Sequence, residues 1–193
     1  NGCTIPPDPS DRTHLQQLFR QDAAGLFVSV AAPAGVDLVA YGQGCAAGDL
    51  DNDGFSDLVV TCYGKNRLLH NKGDGTFLDQ TKSAGIADPG WSTSAALGDF
   101  DRDGALDLYV AHYAVISLET NPVCSYNGPG GKVRGYCGPD HYQAEPDSLF
   151  RNGNGLQFAR VNDELMSTVK PSKGLGVVFA DLNNDGWPDI YVA

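Results

Sequence analysis

The sequence predicts an all-β fold of about three β-propeller blades, together an incomplete propeller. Three observations in its 193 residues lead there. A segment of about 50 residues recurs along the chain. Each recurrence holds an acidic nine-residue stretch with a fixed glycine, set between two short apolar runs. No long apolar period of 3.6 residues is present to build helices.

The recurrence comes first because it sets the boundaries. A shift of 50 aligns Leu18 with Leu68, Phe27 with Phe77, Gly35 with Gly85 and Asp49 with Asp99. A shift of 81 then aligns Leu68 with Leu149, Asn71 with Asn152 and Phe77 with Phe158. The surplus residues fall in one insertion, 113–146. The chain therefore divides into an N-terminal extension, 1–13, and a repeat region, 14–193, with repeats at about 14–63, 64–112 and 147–193. Each of the last two repeats carries a tight-hairpin signal, Gly73-Asp74-Gly75 or Gly153-Asn154-Gly155. Such turns favour positive φ, which Gly, Asn and Asp tolerate. Four short strands per repeat is the pattern of a propeller blade. His14 to Ala24 hints at a helical turn, but its alignment with the strand and turn of Asn66 to Asp74 argues against one.

The acidic stretches read Asp-x-[Asp/Asn]-x-Asp-Gly-x-x-Asp and occupy Asp49 to Asp57, Asp99 to Asp107 and Asp181 to Asp189. Carboxylates crowded into one short loop repel unless a cation sits among them. Hard oxygens at positions 1, 3 and 5, a turn glycine at 6 and a carboxylate at 9 describe a calcium loop. The expected ligands are Asp49, Asp51, Asp53 and Asp57, then Asp99, Asp101, Asp103 and Asp107, then Asp181, Asn183, Asp185 and Asp189. Position 7, held by Phe55, Ala105 and Trp187, supplies a backbone carbonyl. About three Ca²⁺ ions follow from this count. The competing reading is a set of solvated acidic turns, which does not explain a glycine held in place three times.

These loops are not EF-hands. An EF-hand needs a bidentate Glu at position 12 and flanking helices, whereas position 12 here is Val60, Val110 or Val192. The residues after each loop, Leu58 to Thr61, Leu108 to Ala111 and Ile190 to Ala193, are rich in β-branched and aromatic side chains and read as strands. Short small-residue runs precede them: Cys45 to Ala47, Ser94 to Leu97 and Val177 to Ala180. The metal loop is then the turn of a β-hairpin, with Asp57, Asp107 and Asp189 locking the second strand to it.

Charge agrees. The formal net charge is −11, from 13 basic and 24 acidic residues. Eleven of those carboxylates belong to the loops, so the remainder of the chain is near neutral. With no Lys/Arg cluster to neutralise phosphates, nucleic acid is excluded as a partner. The longest apolar run is about four residues, too short for a helical membrane span.

Five cysteines in such a chain point to an oxidising compartment. Cys124 and Cys137 bracket a Gly/Pro/Tyr-rich stretch that cannot form its own core. A disulfide there closes a loop of about 14 residues and contributes about 3 kcal/mol on the chain-entropy estimate. Cys45 and Cys62 flank the first loop on its two strands, where a cross-strand bridge is open but geometrically demanding. Cys3 pairs elsewhere or stays a thiol. Extended-loop calcium sites of about 10⁻⁴ to 10⁻³ M serve outside the cell, so a secreted or cell-surface location is expected.

The chain resembles the VCBS/FG-GAP repeat family, whose calcium-bearing blades occur in integrin α-subunit propellers. It is most similar within that family to bacterial secreted proteins related to cartilage acidic protein. Gly48 to Gly54, Asn66 to Phe77, and Tyr136-Cys137-Gly138-Pro139 ahead of Leu149 to Asn152 carry the likeness. It implies an extracellular β-propeller with structural calcium, and it does not imply a known reaction. Asn183 departs from the loop pattern and predicts weaker binding there if charge count dominates.

Catalytic signatures are sparse, and no enzyme is expected. His14, His70, His112 and His141 are scattered. His70 aligns with Arg20 and Arg151 and reads as a solvated blade residue, while His112 or His141 could line a site. Trp91 and Trp187 read as packing between blades. Two functions stand: a calcium-stiffened structural, adhesive or protein-interaction module, or part of an extracellular hydrolase or lyase whose active site lies in further blades, in the central channel or near the insertion, which supplies Tyr126, Arg134, Tyr136, His141 and Tyr142. Three blades fall short of the four to eight of a closed propeller. The expectation is a piece of a longer protein, the alternative a chain that completes its sheets edge to edge with further copies of itself.

Overall fold

The computed structural model describes residues 15–117, 119, 121–153 and 155–193. The extension 1–13 with Cys3, the histidine at position 14 and Asn154 of the expected Gly153–Gly155 turn lie outside the described residues.

The chain is all-β, arranged as a row of antiparallel sheets. β1 (Phe19–Gln21) and β2 (Phe27–Ser29) form a two-stranded sheet, and α1 (Ala31–Ala34) is one helical turn after it. β3 (Tyr41–Gly48), β4 (Asp57–Tyr63), β5 (Arg67–Asn71) and β6 (Phe77–Asp79) form a four-stranded sheet in chain order. A second helical turn, α2 (Thr81–Ala84), leads to β7 (Ser92–Gly98) and β8 (Asp107–His112). The insertion then contributes a separate hairpin, β9 (Cys124–Gly128) with β10 (Gly131–Gly135). β11 (Ser148–Asn152) and β12 (Phe158–Arg160) return to β8, completing a second sheet ordered β12-β11-β8-β7. After α3 (Asn162–Leu165), β13 (Val177–Ala180) pairs with β14 (Asp189–Val192).

The sheets run out of phase with the sequence repeats. Each four-stranded sheet takes its acidic-loop hairpin from one repeat and its outer hairpin from the next. The cause is local: Gly64 has φ 96° and Asn66 Oδ1 accepts the Cys62 amide at 3.0 Å, so the chain reverses at once and β5 pairs with β4. A period read along the chain has no way to mark where a sheet begins.

Alternation along the loop-hairpin strands builds three cores. Val59, Leu108 and Val110 face a core between the two complete sheets, with Leu50, Leu68, Ile86, Phe150 and Phe158. Leu58, Val60 and Leu69 pack toward Ala31, Ala34, Val36 and Leu18. Tyr109, Ala111 and Leu149 pack toward Val177, Phe179, Ile190 and Val192. Small residues in the first strand of each sheet let neighbours approach. A Cβ on Gly48 would come 2.7 Å from Leu97 Cδ1, and one on Gly98 2.6 Å from Phe179 Cγ.

The three helical turns are features the periodicity did not announce. Each is four residues long and follows an outer hairpin. Thr81 Oγ1 accepts the Leu68 amide at 3.0 Å, and Asn162 Oδ1 accepts the equivalent Leu149 amide at 2.9 Å. These contacts tie the connection back to the first strand of the hairpin it leaves.

Candidate metal centres

Each acidic loop joins the first two strands of a sheet, and its internal geometry repeats. Asp49 accepts the amides of Asp53 and Gly54 at 3.1 and 2.9 Å. Asp99 accepts those of Asp103 and Gly104 at 3.1 and 3.0 Å, and Asp181 those of Asp185 and Gly186 at 3.2 and 2.9 Å. The position-5 carboxylates of Asp53, Asp103 and Asp185 then accept the amides of Phe55, Ala105 and Trp187 at 2.9, 2.8 and 2.8 Å. With those amides turned inward, the loop curls so that its side-chain oxygens converge. The curl needs left-handed backbone at position 4, where Asn52, Arg102 and Asn184 have φ of 59°, 62° and 60°. Asn adopts this region readily; Arg102 does so at a cost.

Position 9 is a clasp within the protein. Asp57 accepts the Leu50 amide at 3.0 Å with one oxygen and the Asn71 amide at 2.8 Å with the other. Asp107 does the same with Phe100 at 3.0 Å and Asn152 at 2.9 Å. Both aspartates are completely buried. Each therefore fastens its loop to the third strand of the sheet as well as to the second. In the β13–β14 sheet, Asp189 keeps, among the described residues, the loop half of this arrangement, accepting the Leu182 amide at 2.9 Å.

Position 3 shows what the loops can hold. Oδ1 of Asp51 and Oδ1 of the equivalent Asp101 are both buried without a hydrogen-bond partner. Ligand oxygens of Asp49, Asp51 and Asp53 lie within 4.8 Å of one another, as do those of Asp99, Asp101 and Asp107. Burial raises the Asp51 carboxyl above the ordinary range, and the charges of Asp53 and Asp57 add to it. Burial chiefly, then Asp101 and Asp103, pushes Asp107 up to about 6 against the opposing amides of Asn152 and Phe100. Buried, mutually repelling carboxylates with unused lone pairs are held at a cost, which a divalent cation among them removes. The donor set is hard oxygen throughout the loops, which suits calcium or magnesium rather than zinc or copper.

The third loop differs at Asn183. Its Oδ1 accepts the Asp185 amide at 2.8 Å and its Nδ2 donates to Asp185 Oδ2 at 3.0 Å. Asp181, Asn183, Asp185 and Asp189 retain the loop fold with one fewer charge.

His70 corrects the sequence reading. It is half-buried at the first loop, with Nδ1 3.0 Å from Asp57 Oδ1 and 3.4 Å from Asp51 Oδ2. Its counterpart Arg151 sits likewise at the second, Nε 2.8 Å from Asp101 Oδ2 in an ion pair whose N–H is not aligned for a hydrogen bond. The alignment of Arg20, His70 and Arg151 held the signal: a basic group recurring one residue before the Gln21, Asn71 and Asn152 positions. Its meaning needed the out-of-phase pairing, which carries that strand to the acidic loop.

The loops share one rim. Asn52 Nδ2 donates to Gly104 O at 3.1 Å, and Arg102 stacks 3.9 Å over the Trp187 ring. Position 4 of each of the first two loops thus reaches the loop after it. Trp91 lies instead in a row with Tyr41, Tyr63 and Tyr113, in edge-to-face contacts at centroid distances of 5.1 to 6.4 Å. That is packing, as expected of it. His112 is buried, with Nε2 3.1 Å from Ser92 Oγ and its amide donating to Asp147 at 2.7 Å. His141 is exposed on a short 3₁₀ turn of the insertion.

Cys124 and Cys137 form the expected disulfide. Cys45 and Cys62 are not bridged to each other. The register sets Cys45 opposite Val60 and Cys62 opposite Gly42, and Cys45 is an exposed thiol. Beside the disulfide, a cavity of about 330 Å³ gathers Asn121, Arg134, Tyr136 and Tyr142 but not His141. No helix among the described residues is long and apolar enough to cross a membrane.

Residues 49–110 and 136–192 match the FG-GAP-like repeat, well over half of the chain. The chain belongs to the FG-GAP-like repeat family, and its sheets are blades of the propeller type. No curated protein matches it.

Proposed function

We propose that this chain is a calcium-binding propeller-type module of a secreted or cell-surface protein, with a structural, adhesive or protein-interaction role. One observation carries the reading. Asp51 and Asp101 occupy the same place in two loops of the same internal geometry, and each leaves a buried carboxylate oxygen unpartnered beside further carboxylates. Calcium is the divalent ion that oxygen-rich, flexible loops of this length take, and the third loop takes it more weakly because Asn183 replaces a carboxylate.

The ions hold a rim. Each of the first two loops is clasped to the third strand of its sheet through the position-9 aspartate, so an ion in either loop stiffens the sheet as well as the turn. The Cys124–Cys137 disulfide and the oxygen-ligand loops both suit an extracellular setting, where calcium is plentiful and thiols oxidise. The likeness to secreted bacterial relatives of cartilage acidic protein belongs to the same reading. The partner is a protein or a further copy of this chain. The insertion presents Val123, Tyr126, Val133 and Tyr136 to solvent, an apolar surface on a disulfide-braced hairpin.

A non-enzymatic role is favoured by the chemistry of the insertion cavity. It brings together a guanidinium, two phenols and an amide, with no carboxylate or imidazole to move a proton. Calcium titration of chelator-stripped protein, followed by calorimetry and native mass spectrometry, tests the proposal. The expected result is two tighter sites and one weaker site, with magnesium binding less well. Binding of fewer than two ions, or equal affinity at all three, refutes the assignment.

A further inference from the structure

The acidic loops by themselves offer only oxygen, but the first of them has a nitrogen within reach. His70, on β5, places Nδ1 3.0 Å from Asp57 Oδ1 and 3.4 Å from Asp51 Oδ2. Ligand atoms of Asp51, Asp57 and His70 all lie within 4.8 Å of one another. The group is largely withdrawn from water: the Asp57 side chain is fully buried, and those of Asp51 and His70 are 18 % exposed. The amides of Leu50 and Asn71 already hold Asp57 in place, and Asp51 Oδ1 is buried with no partner.

The sister sheet shows that this place in the fold takes a cation. Arg151, on β11, is the counterpart of His70, and its Nε stands 2.8 Å from Asp101 Oδ2. Its guanidinium lies 5.6 Å from the Phe100 ring, and Nη2 is 3.6 Å from Glu164. A fixed positive charge therefore rests against the position-3 carboxylate of the second loop. Guanidinium has no lone pair to give a metal, whereas neutral imidazole does. The first loop thus has a ligand where the second has a charge.

We infer that Asp51, Asp57 and His70 form a site for a first-row transition metal ion, zinc or one of its neighbours, which the second loop lacks. This goes beyond the calcium reading, since calcium and magnesium seek oxygen. Ligands bonded to a zinc-sized ion at about 2.1 Å stand roughly 3.0 Å apart at right angles and roughly 3.4 Å apart at tetrahedral angles. The two distances from His70 to the carboxylates match that spacing. Imidazole suits zinc and its neighbours, and two carboxylates make the set a mixed one. Three protein ligands leave a position open, as in zinc sites that keep a water. The Leu50 and Asn71 amides serve as the outer partners that orient a ligating carboxylate. Asp51 also belongs to the oxygen set with Asp49 and Asp53. The first loop therefore responds to two kinds of ion and the second to calcium alone, with Arg151 opposing any further cation at Asp101.

Zinc titration of the full chain tests the assignment, in a C3S/C45S background that removes Cys3 and Cys45 as competing ligands. Native mass spectrometry should count one zinc per chain, and calorimetry should show it bound at least about tenfold more tightly than calcium. H70Q should weaken zinc binding by about a hundredfold or more, since even outer partners of a metal site are worth tenfold to a hundredfold. The calcium count and circular dichroism of H70Q should be unchanged, which shows that the variant folds. H141Q, on the exposed insertion, should bind zinc as the parent does. R151H should give the second loop a zinc site of its own. Equal zinc affinity in H70Q and the parent overturns the inference, as does an equal loss in H141Q or a stoichiometry that stays at one in R151H. A parent chain that binds calcium but no zinc sinks this inference alone. Zinc bound without calcium sinks the calcium reading and leaves this one standing.

Discussion

The buried side chain of Asn152 donates to the carbonyl of Leu50 at 2.7 Å, joining the third strand of one sheet to the metal loop of the sheet before it. The same nitrogen also reaches Leu106 O at 3.1 Å, in its own loop. A single amide group therefore spans two sheets and two candidate metal sites. Because its own main-chain amide clasps Asp107, Asn152 connects the first two acidic loops through one residue.

Asn152→Ala removes those side-chain bonds and orphans two loop carbonyls while leaving the Asp107 clasp in place. The expected loss is about 1 to 3 kcal/mol of stability, the usual cost of stranding buried polar groups. Calcium affinity should fall at the first and second loops together and not at the third. Urea unfolding with and without calcium measures both effects.

Asp57 and Asp189 hold the same loop position in opposite environments. Asp57→Ala strands the amides of Leu50 and Asn71 in a buried place and should cost about 3 to 5 kcal/mol, in the range for breaking a buried charged network. Asp189→Ala acts in an exposed half-sheet and should cost under about 1 kcal/mol. Each variant should still lose one calcium ion. Paired thermal melts and ion counts check the contrast, and equal destabilisation by both would contradict the clasp.

Chelation should lower the melting temperature of the wild-type chain by many degrees. An ion that binds only the native state contributes about 2.7 kcal/mol at a hundredfold excess over its dissociation constant, and the contributions of separate sites add. Melts in excess chelator against millimolar calcium measure this. The hydrogen-exchange difference should concentrate at Asp53–Phe55 and Asp103–Ala105, whose amides the loop carboxylates accept. An unchanged melt removes the structural role of the ions.

The Cys124–Cys137 bond braces a hairpin outside the three cores. Replacing both cysteines by serine should speed proteolysis between Val123 and Tyr136 by about an order of magnitude or more, since the chain-entropy contribution of such a loop is about 3 kcal/mol. Calcium binding at the loops should be unchanged. Cleavage appearing first in β4 or β8 would show that the insertion supports the blades after all.

The sequence by itself determined the local chemistry. Three loops of one spacing, the strands on either side and the repeat length were legible because each depends on residues a few positions apart. So was the Cys124–Cys137 disulfide, where a short loop brings its ends together. Two things were decided only in three dimensions. The first is the phase of the sheets, set by whether β5 turns back onto β4, which a period cannot encode. The second is the set of long-range contacts at the loops: His70 on Asp57, Asn152 on Leu50, and Arg102 over Trp187. Each joins residues that are distant in sequence or in different sheets, so no spacing rule reaches them. The helical turns at Ala31, Thr81 and Asn162 escaped for a related reason, since four residues are too few to show a period; the first two bury residues against the sheets, and the third is held by the bonds of Asn162 to Leu149 and Asp147.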